Sequence, residues 1–105
     1  MTVNDLGDAL KAVYPFRHFA WSSAPRGDYG VYAEEAGRDF VANLQHCERG
    51  TEGTIDFYTR DDSGTPKRRI EAVLNGLKIP WRLNSVQYEP DTGYIHLEWT
   101  WGIYG

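Results

Sequence analysis

Apolar and polar residues alternate along this chain with two different periods, and the changes of period mark its elements. In residues 54–59, Ile55 and Phe57 alternate with Thr54, Asp56 and Tyr58, as in a strand with one buried face. In residues 65–77 the spacing changes. Ile70, Val73, Leu74 and Leu77 recur at i, i+3, i+4 and i+7, which lines up one stripe of a helix, while Lys67, Arg68, Arg69 and Glu71 lie off it. Thr65 is read as the N-cap and Pro66 as the first helical residue, where a missing N–H costs nothing. The apolar stripe must pack on something, and the sheet that contains Ile55 and Phe57 is the natural partner.

The same reading extends over the remaining segments. Val3, Leu6, Leu10 and Val13 share a helical face in residues 2–13, Thr2 and Asp5 are spaced as a capping pair, Gly7 weakens the helix and Pro15 stops it. Residues 16–21 are read as a strand with Phe19 and Trp21 on one face, and residues 22–28 (SSAPRGD) as an exposed loop. Residues 29–34 and 40–46 are expected to form a hairpin about the turn at 35–39, with a second turn at 47–53. After the second helix, Gly76 is expected in the left-handed C-cap conformation, with Pro80 preventing resumption. Residues 81–89 and 93–103 flank EPDTG, the clearest hairpin in the chain. In its second arm Ile95, Leu97, Trp99, Trp101 and Ile103 point one way and Tyr94, His96, Glu98 and Thr100 the other, the pattern of a strand inside a sheet. The order α-β-β-β-β-α-β-β, without repeats or linkers, predicts one α+β domain over residues 1–105: a single antiparallel-rich sheet with helices packed on one face.

Composition narrows the function classes. At 105 residues the chain is long enough for one core and too short for two. A formal charge of −4 argues against wrapping nucleic acid as the main activity, so no sequence-specific nucleic-acid binding is expected. Four Trp and seven Tyr suit half-buried strands and contact surfaces. A lone Cys47 cannot form an intramolecular disulfide, and no apolar run is long enough for a membrane span or a signal-peptide core, so a soluble chain without a membrane partner is expected.

Candidate chemistry is sparse. His46 beside Cys47 invites a nucleophile or zinc reading, but strand neighbours point to opposite faces and no second Cys completes a zinc site. His18 and His96 are the other metal candidates, if they meet across strands. Asp56, Asp61 and Asp62 resemble a carboxylate cluster, although a charged turn before a helix has the same composition. Arg26, Gly27 and Asp28 spell an adhesion tripeptide that arises easily by chance. Lys67, Arg68 and Arg69 carry more information: cations in a first helical turn oppose the macrodipole, so an acidic neighbour or DNA phosphate would compensate them, with a solvated face as the plain alternative. No phosphate loop, nucleophile elbow or dinucleotide fingerprint is present. The expectation is therefore no enzyme, no catalytic or metal residues and no cofactor.

Taken together, the N-terminal helix, TIDFYT at 54–59, the amphipathic helix at 67–77 and DTGYIH at 91–96 make the chain resemble the tail-completion proteins of long-tailed bacteriophages and prophages. These are the tail terminator or tail-to-head joining proteins. The resemblance implies a sheet with helices on one side and a homo-oligomeric ring, commonly hexameric, that closes the tail tube and docks on head-connector proteins. It also implies a place in the virion after synthesis in the bacterial host cytoplasm, and no catalytic residues. On that resemblance the candidate assembly contacts are Ser23, Arg26 and Asp28 in the loop, with Asp61, Asp62, Lys67, Arg68 and Arg69 around the second helix start. A small-molecule-binding α+β module and a non-phage adaptor remain the alternatives.

Overall fold

A computed structural model describes residues 1–35 and 50–104. The strand expected at 40–46, most of the turn before it, and the His46–Cys47 pair lie outside the described residues. Within them the chain forms α1 (Val3–Lys11), β1 (Phe16–His18), β2 (Tyr29–Glu34), β3 (Gly50–Thr59), α2 (Thr65–Gly76), β4 (Trp81–Glu89) and β5 (Tyr94–Tyr104). The strands make one sheet in the order β1-β2-β3-β5-β4, parallel only between β1 and β2. This is the α+β architecture that the alternating patterns predict.

Cross-strand register decides where the core lies. Ile55 pairs with Trp99 and Phe57 with Leu97, so the apolar alternates of β3 and β5 fall on one face. Both helices cover that face: Leu6 and Leu10 of α1, Ile70 and Leu74 of α2, and Ile55, Phe57 and Trp99 of the sheet are all 0% exposed. Each buried aliphatic or Phe side chain contributes about 1.5–3 kcal/mol, so this cluster is the main source of stability.

The N-terminal helix forms as its sequence suggests. Thr2 Oγ1 accepts from Asp5 N–H and Asp5 Oδ2 accepts from Thr2 N–H, which completes a capping box. Gly7 has a reason beyond propensity. A Cβ there would lie 2.5 Å from Tyr32 Cζ, so its absence lets α1 settle on β2.

Several boundaries differ from the expectation. β1 ends at His18, because Phe19 has φ 71° and reverses the chain, leaving its ring 61% exposed rather than aligned with Trp21 on a strand. Over residues 30–32 both edges of β2 are occupied, by β1 and β3; the partner expected at 40–46 lies outside the described residues. β3 starts at Gly50, so the last residues of the expected turn at 47–53 are strand. There Gly53 lies between Ala33 and Trp101, and a Cβ would come within 2.5 Å of Trp101 Cζ2.

Both ends of α2 also differ. Gly64, at φ 86°, takes the N-cap instead of Thr65, with Pro66 in the second helical position. At the other end Gly76 stays helical, and Lys78 takes the left-handed position at φ 59°. Lys78 N–H donates to Asn75 O and Ile79 N–H to Leu74 O, the two bonds of a Schellman motif. The motif sits two residues beyond the glycine because it is there that Ile79, 4% exposed, reaches the core.

Two stability changes of opposite sign follow, measurable by chemical denaturation. Lys78→Gly removes the left-handed strain and stabilises by about 0.5–1 kcal/mol. Gly7→Ala forces α1 away from Tyr32 and destabilises by about 1–3 kcal/mol.

Candidate functional site

With both helices on one face, the opposite face of the sheet, among the described residues, is left to side chains of its own strands and to the loop 19–28. Register sets its rows. Tyr29, Tyr58, His96 and Gln87 are successive neighbours across β2, β3, β5 and β4, and the next row holds Val31, Asp56, Glu98 and Ser85. Tyr29 stacks on Tyr58 with ring centroids 4.8 Å apart, and Tyr58 stacks on His96 at 4.4 Å. Tyr94 meets Tyr29 edge-on at 5.7 Å, and Trp21 meets it edge-on from the loop side. The result is a continuous aromatic row across three strands.

The loop that joins β1 to β2 is anchored at one end of this row. Trp21 Nε1–H donates to Gly30 O, and Tyr94 O–H donates to the carbonyls of Arg26 at 2.7 Å and Gly27 at 3.0 Å. The Arg60 guanidinium lies 4.0 Å from the Tyr94 ring centroid and donates to Arg26 O and Thr92 O. Asp28 accepts from the buried Thr59 hydroxyl at 2.9 Å. Thus the loop's backbone is fastened while Ser22, Ser23 and Ala24 remain exposed.

Acidic side chains surround the aromatic row. His96 Nε2 lies 2.7 Å from Asp56 Oδ1, and its Nδ1 is 3.9 Å from Glu89 Oε2. Burial, followed by the negative charge of Asp56 and by Tyr29, Glu89 and Glu98, pushes the Tyr58 phenol up to about 12. Burial also raises Tyr29, with Tyr94 and Glu89 adding to it. These phenols stay protonated across physiological pH and act as hydrogen-bonding, stackable surfaces rather than as bases.

The candidate residues separate into two groups. Arg26 and Asp28 belong to the anchored loop, Arg26 through its backbone carbonyl and Asp28 through Thr59. Asp61 caps the turn before α2: hydrogen bonds from Ser63 hold its carboxyl below the usual range. Asp62 is exposed beside it. Asp56 points instead to the uncovered face, where it meets His96, so the three aspartates serve separate ends.

The cations at the start of α2 find partners within the chain. Lys67 Nζ is 3.2 Å from Glu71, whose other role is to accept from the buried Trp99 indole at 3.0 Å. Arg68 donates to Thr65 Oγ1, and Arg69 lies 5.9 Å from the Tyr14 ring centroid. Only Arg68 and Arg69 are exposed. The compensation sought for this basic turn is therefore in part intramolecular, and the i, i+4 spacing of Lys67 and Glu71 is the sequence signal that could have found it.

His18 and His96 do not meet. His18 pairs in register with Tyr32 on the helix-bearing side, where it stacks on that ring and contacts Glu34. Among the described residues, no group of three or more His, Cys, Asp or Glu side chains is arranged to hold a metal ion. A shallow groove between the end of α1 and α2 is lined by Ala12, Val13, Arg69, Ala72 and Val73 and contains no histidine or carboxylate. The aromatic row was missed by the linear reading. The alternation of Tyr94 and His96 with apolar residues places them on the polar face, but their neighbours Tyr29 and Tyr58 come from strands far away in the chain.

By fold and surface, the described residues form one α+β sheet, helix-covered on one side and aromatic and acidic on the other. No protein-family model matches the chain, and a search of curated proteins finds no relative. Among the described residues no helix is long and apolar enough to cross a membrane.

The raised Tyr58 pKa predicts a specific alkaline response. In the unfolded chain this phenol ionises near 10, whereas in the fold it holds its proton up to about 12. Its contribution to stability therefore falls as pH rises from about 10 to about 12, and is constant below that window. Spectrophotometric tyrosine titration of the native protein should show a late-ionising phenol that disappears in Tyr58→Phe.

Proposed function

We propose that this chain is a structural virion protein of a phage or prophage: a tail terminator, or tail-completion factor, that oligomerises into a ring at the head–tail neck. The observation that carries the reading is the one-sided architecture. Two helices cover one sheet face, and the other face presents ordered aromatic rings with an anchored loop, a rigid surface suited to protein contact. In this reading the protein assembles rather than catalyses, its partners are further copies of itself, the tail tube and head-connector proteins, and its place is the virion.

A small-molecule-binding module is the second reading, and one observation favours it: His96 held against Asp56 at 2.7 Å. That pair lies on the uncovered sheet face, not in the groove beside α2. Ligand-induced NMR shifts confined to His96, Asp56 and Tyr58 would move the balance towards it.

The primary reading is tested by adding the purified protein to terminator-deficient phage tails and imaging them by negative stain. The expected result is a ring, six copies in this reading, on the head-proximal end of the tail and recovery of head joining. Tails that stay bare at saturating protein would overturn the proposal. The exposed pair Arg68→Glu/Arg69→Glu should keep the thermal transition and weaken this association. Lys67 is left in place, since reversing it would set two acids together beside Trp99.

A further inference from the structure

The outer edge of β4 combines three features not explained by the fold. It terminates the sheet, with no strand beyond it among the described residues. It also carries two large exposed apolar side chains, Val86 at 53% and Tyr88 at 66% exposure. Both point to the helix-bearing side, since they pair with Leu97 and Ile95 on β5, yet the helices do not reach them. Finally, the edge has a local irregularity: Leu83 pairs with Trp99 and Ser85 with the adjacent Glu98, so Asn84 is an extra residue.

That extra residue re-phases the strand. Arg82, Ser85, Gln87 and Glu89 pair with Thr100, Glu98, His96 and Tyr94, and so share the uncovered face; Leu83, Val86 and Tyr88 share the other. In an unbroken strand Arg82 and Glu89, an odd number of residues apart, would point to opposite faces. The bulge brings them to the same one.

From this we infer that the β4 edge pairs with the β4 edge of a second copy of this chain, antiparallel, about a two-fold axis through Val86. In that register Val86 faces Val86 of the second copy, Ser85 faces Gln87, Leu83 faces Tyr88 and Arg82 faces Glu89, each unlike pair occurring twice. Apolar side chains meet apolar ones on one face, opposite charges meet on the other, and no like charges are opposed. The backbone groups on that edge, without a strand partner among the described residues, become paired, which removes a template for uncontrolled strand addition. A register centred on Gln87 would leave Arg82 and Leu83 facing residues beyond the end of the strand. The two Arg82–Glu89 contacts are local attractions between chains that each carry a net charge of −4.

An isologous pair of this kind closes on two copies and does not propagate into a ring, so it is a state of the protein apart from the proposed tail complex. Sedimentation equilibrium of the isolated full chain, at concentrations up to about 1 mM, where a single strand pair registers, tests it. The expected result is a reversible monomer–dimer equilibrium. Val86→Lys, which places like charges together on the axis, should weaken it at least about tenfold while leaving circular dichroism and the thermal transition unchanged. Arg82→Glu and Glu89→Arg should each weaken the homodimer. A one-to-one mixture of these two variants should dimerise again, because both cross-pairs are then of opposite charge. Dimerisation unaffected by Val86→Lys, no dimer at the highest concentration, or failure of the mixed variants to associate would overturn the inference. None of these outcomes bears on ring formation at the tail, which is read separately on phage tails.

Discussion

The antiparallel pairing of β3 with β5 is the constraint on which the rest of this domain depends. It sets Ile55 against Trp99 and Phe57 against Leu97, which collects the bulkiest apolar side chains of two strands on one face and leaves no choice about where the helices go. α1 and α2 have apolar stripes too short to be stable in water alone, and both find their partner there. Even the polar ends of the core are adjusted to it. The Trp99 indole is buried, and Glu71 reaches from α2 to accept a hydrogen bond from its N–H while also holding Lys67.

One-sided coverage has a consequence for the surface. A sheet face without helices must be made of groups that tolerate water, and here it is made of tyrosines and a histidine that stack across strands, with carboxylates beside them. Tyr58 stacks between Tyr29 and His96, Asp56 holds His96, and Tyr94 ties down the loop through the carbonyls of Arg26 and Gly27. Aromatic rings fixed by neighbours lose little further freedom on contact with a partner, which suits a protein whose proposed role is assembly. The basic turn of α2 becomes less unusual in the same light. Lys67 is used inside the molecule, and Arg68 and Arg69, though each has a neighbour in the chain, stay exposed to solvent or a partner.

Much of the fold was legible in residue order. The alternation in 54–59 and 94–103, the stripe through Ile70, Val73, Leu74 and Leu77, the Thr2–Asp5 cap and the EPDTG turn each named an element that the fold contains. These signals are local, set by side-chain direction within a few residues. The errors fell where a distant contact overrides a local preference. Gly76 was the natural left-handed residue, but burial of Ile79 moves that position to Lys78; Gly50 and Gly53 resembled turn residues, but Tyr104 and Trp101 pack on them as strand.

By itself, then, the sequence determined the α+β class, the types of the elements named above and the buried faces of β3 and β5, because these follow from periodicities of two and of about 3.6 residues. Only the tertiary structure decided the strand order, the capping of α2 and the composition of the uncovered face. Tyr29, Tyr58 and His96 form one row because β5 enters between β3 and β4, and no local pattern encodes which strand lies beside which. Register across strands is fixed by the packing of the whole sheet, and with it the aromatic surface that any partner would meet.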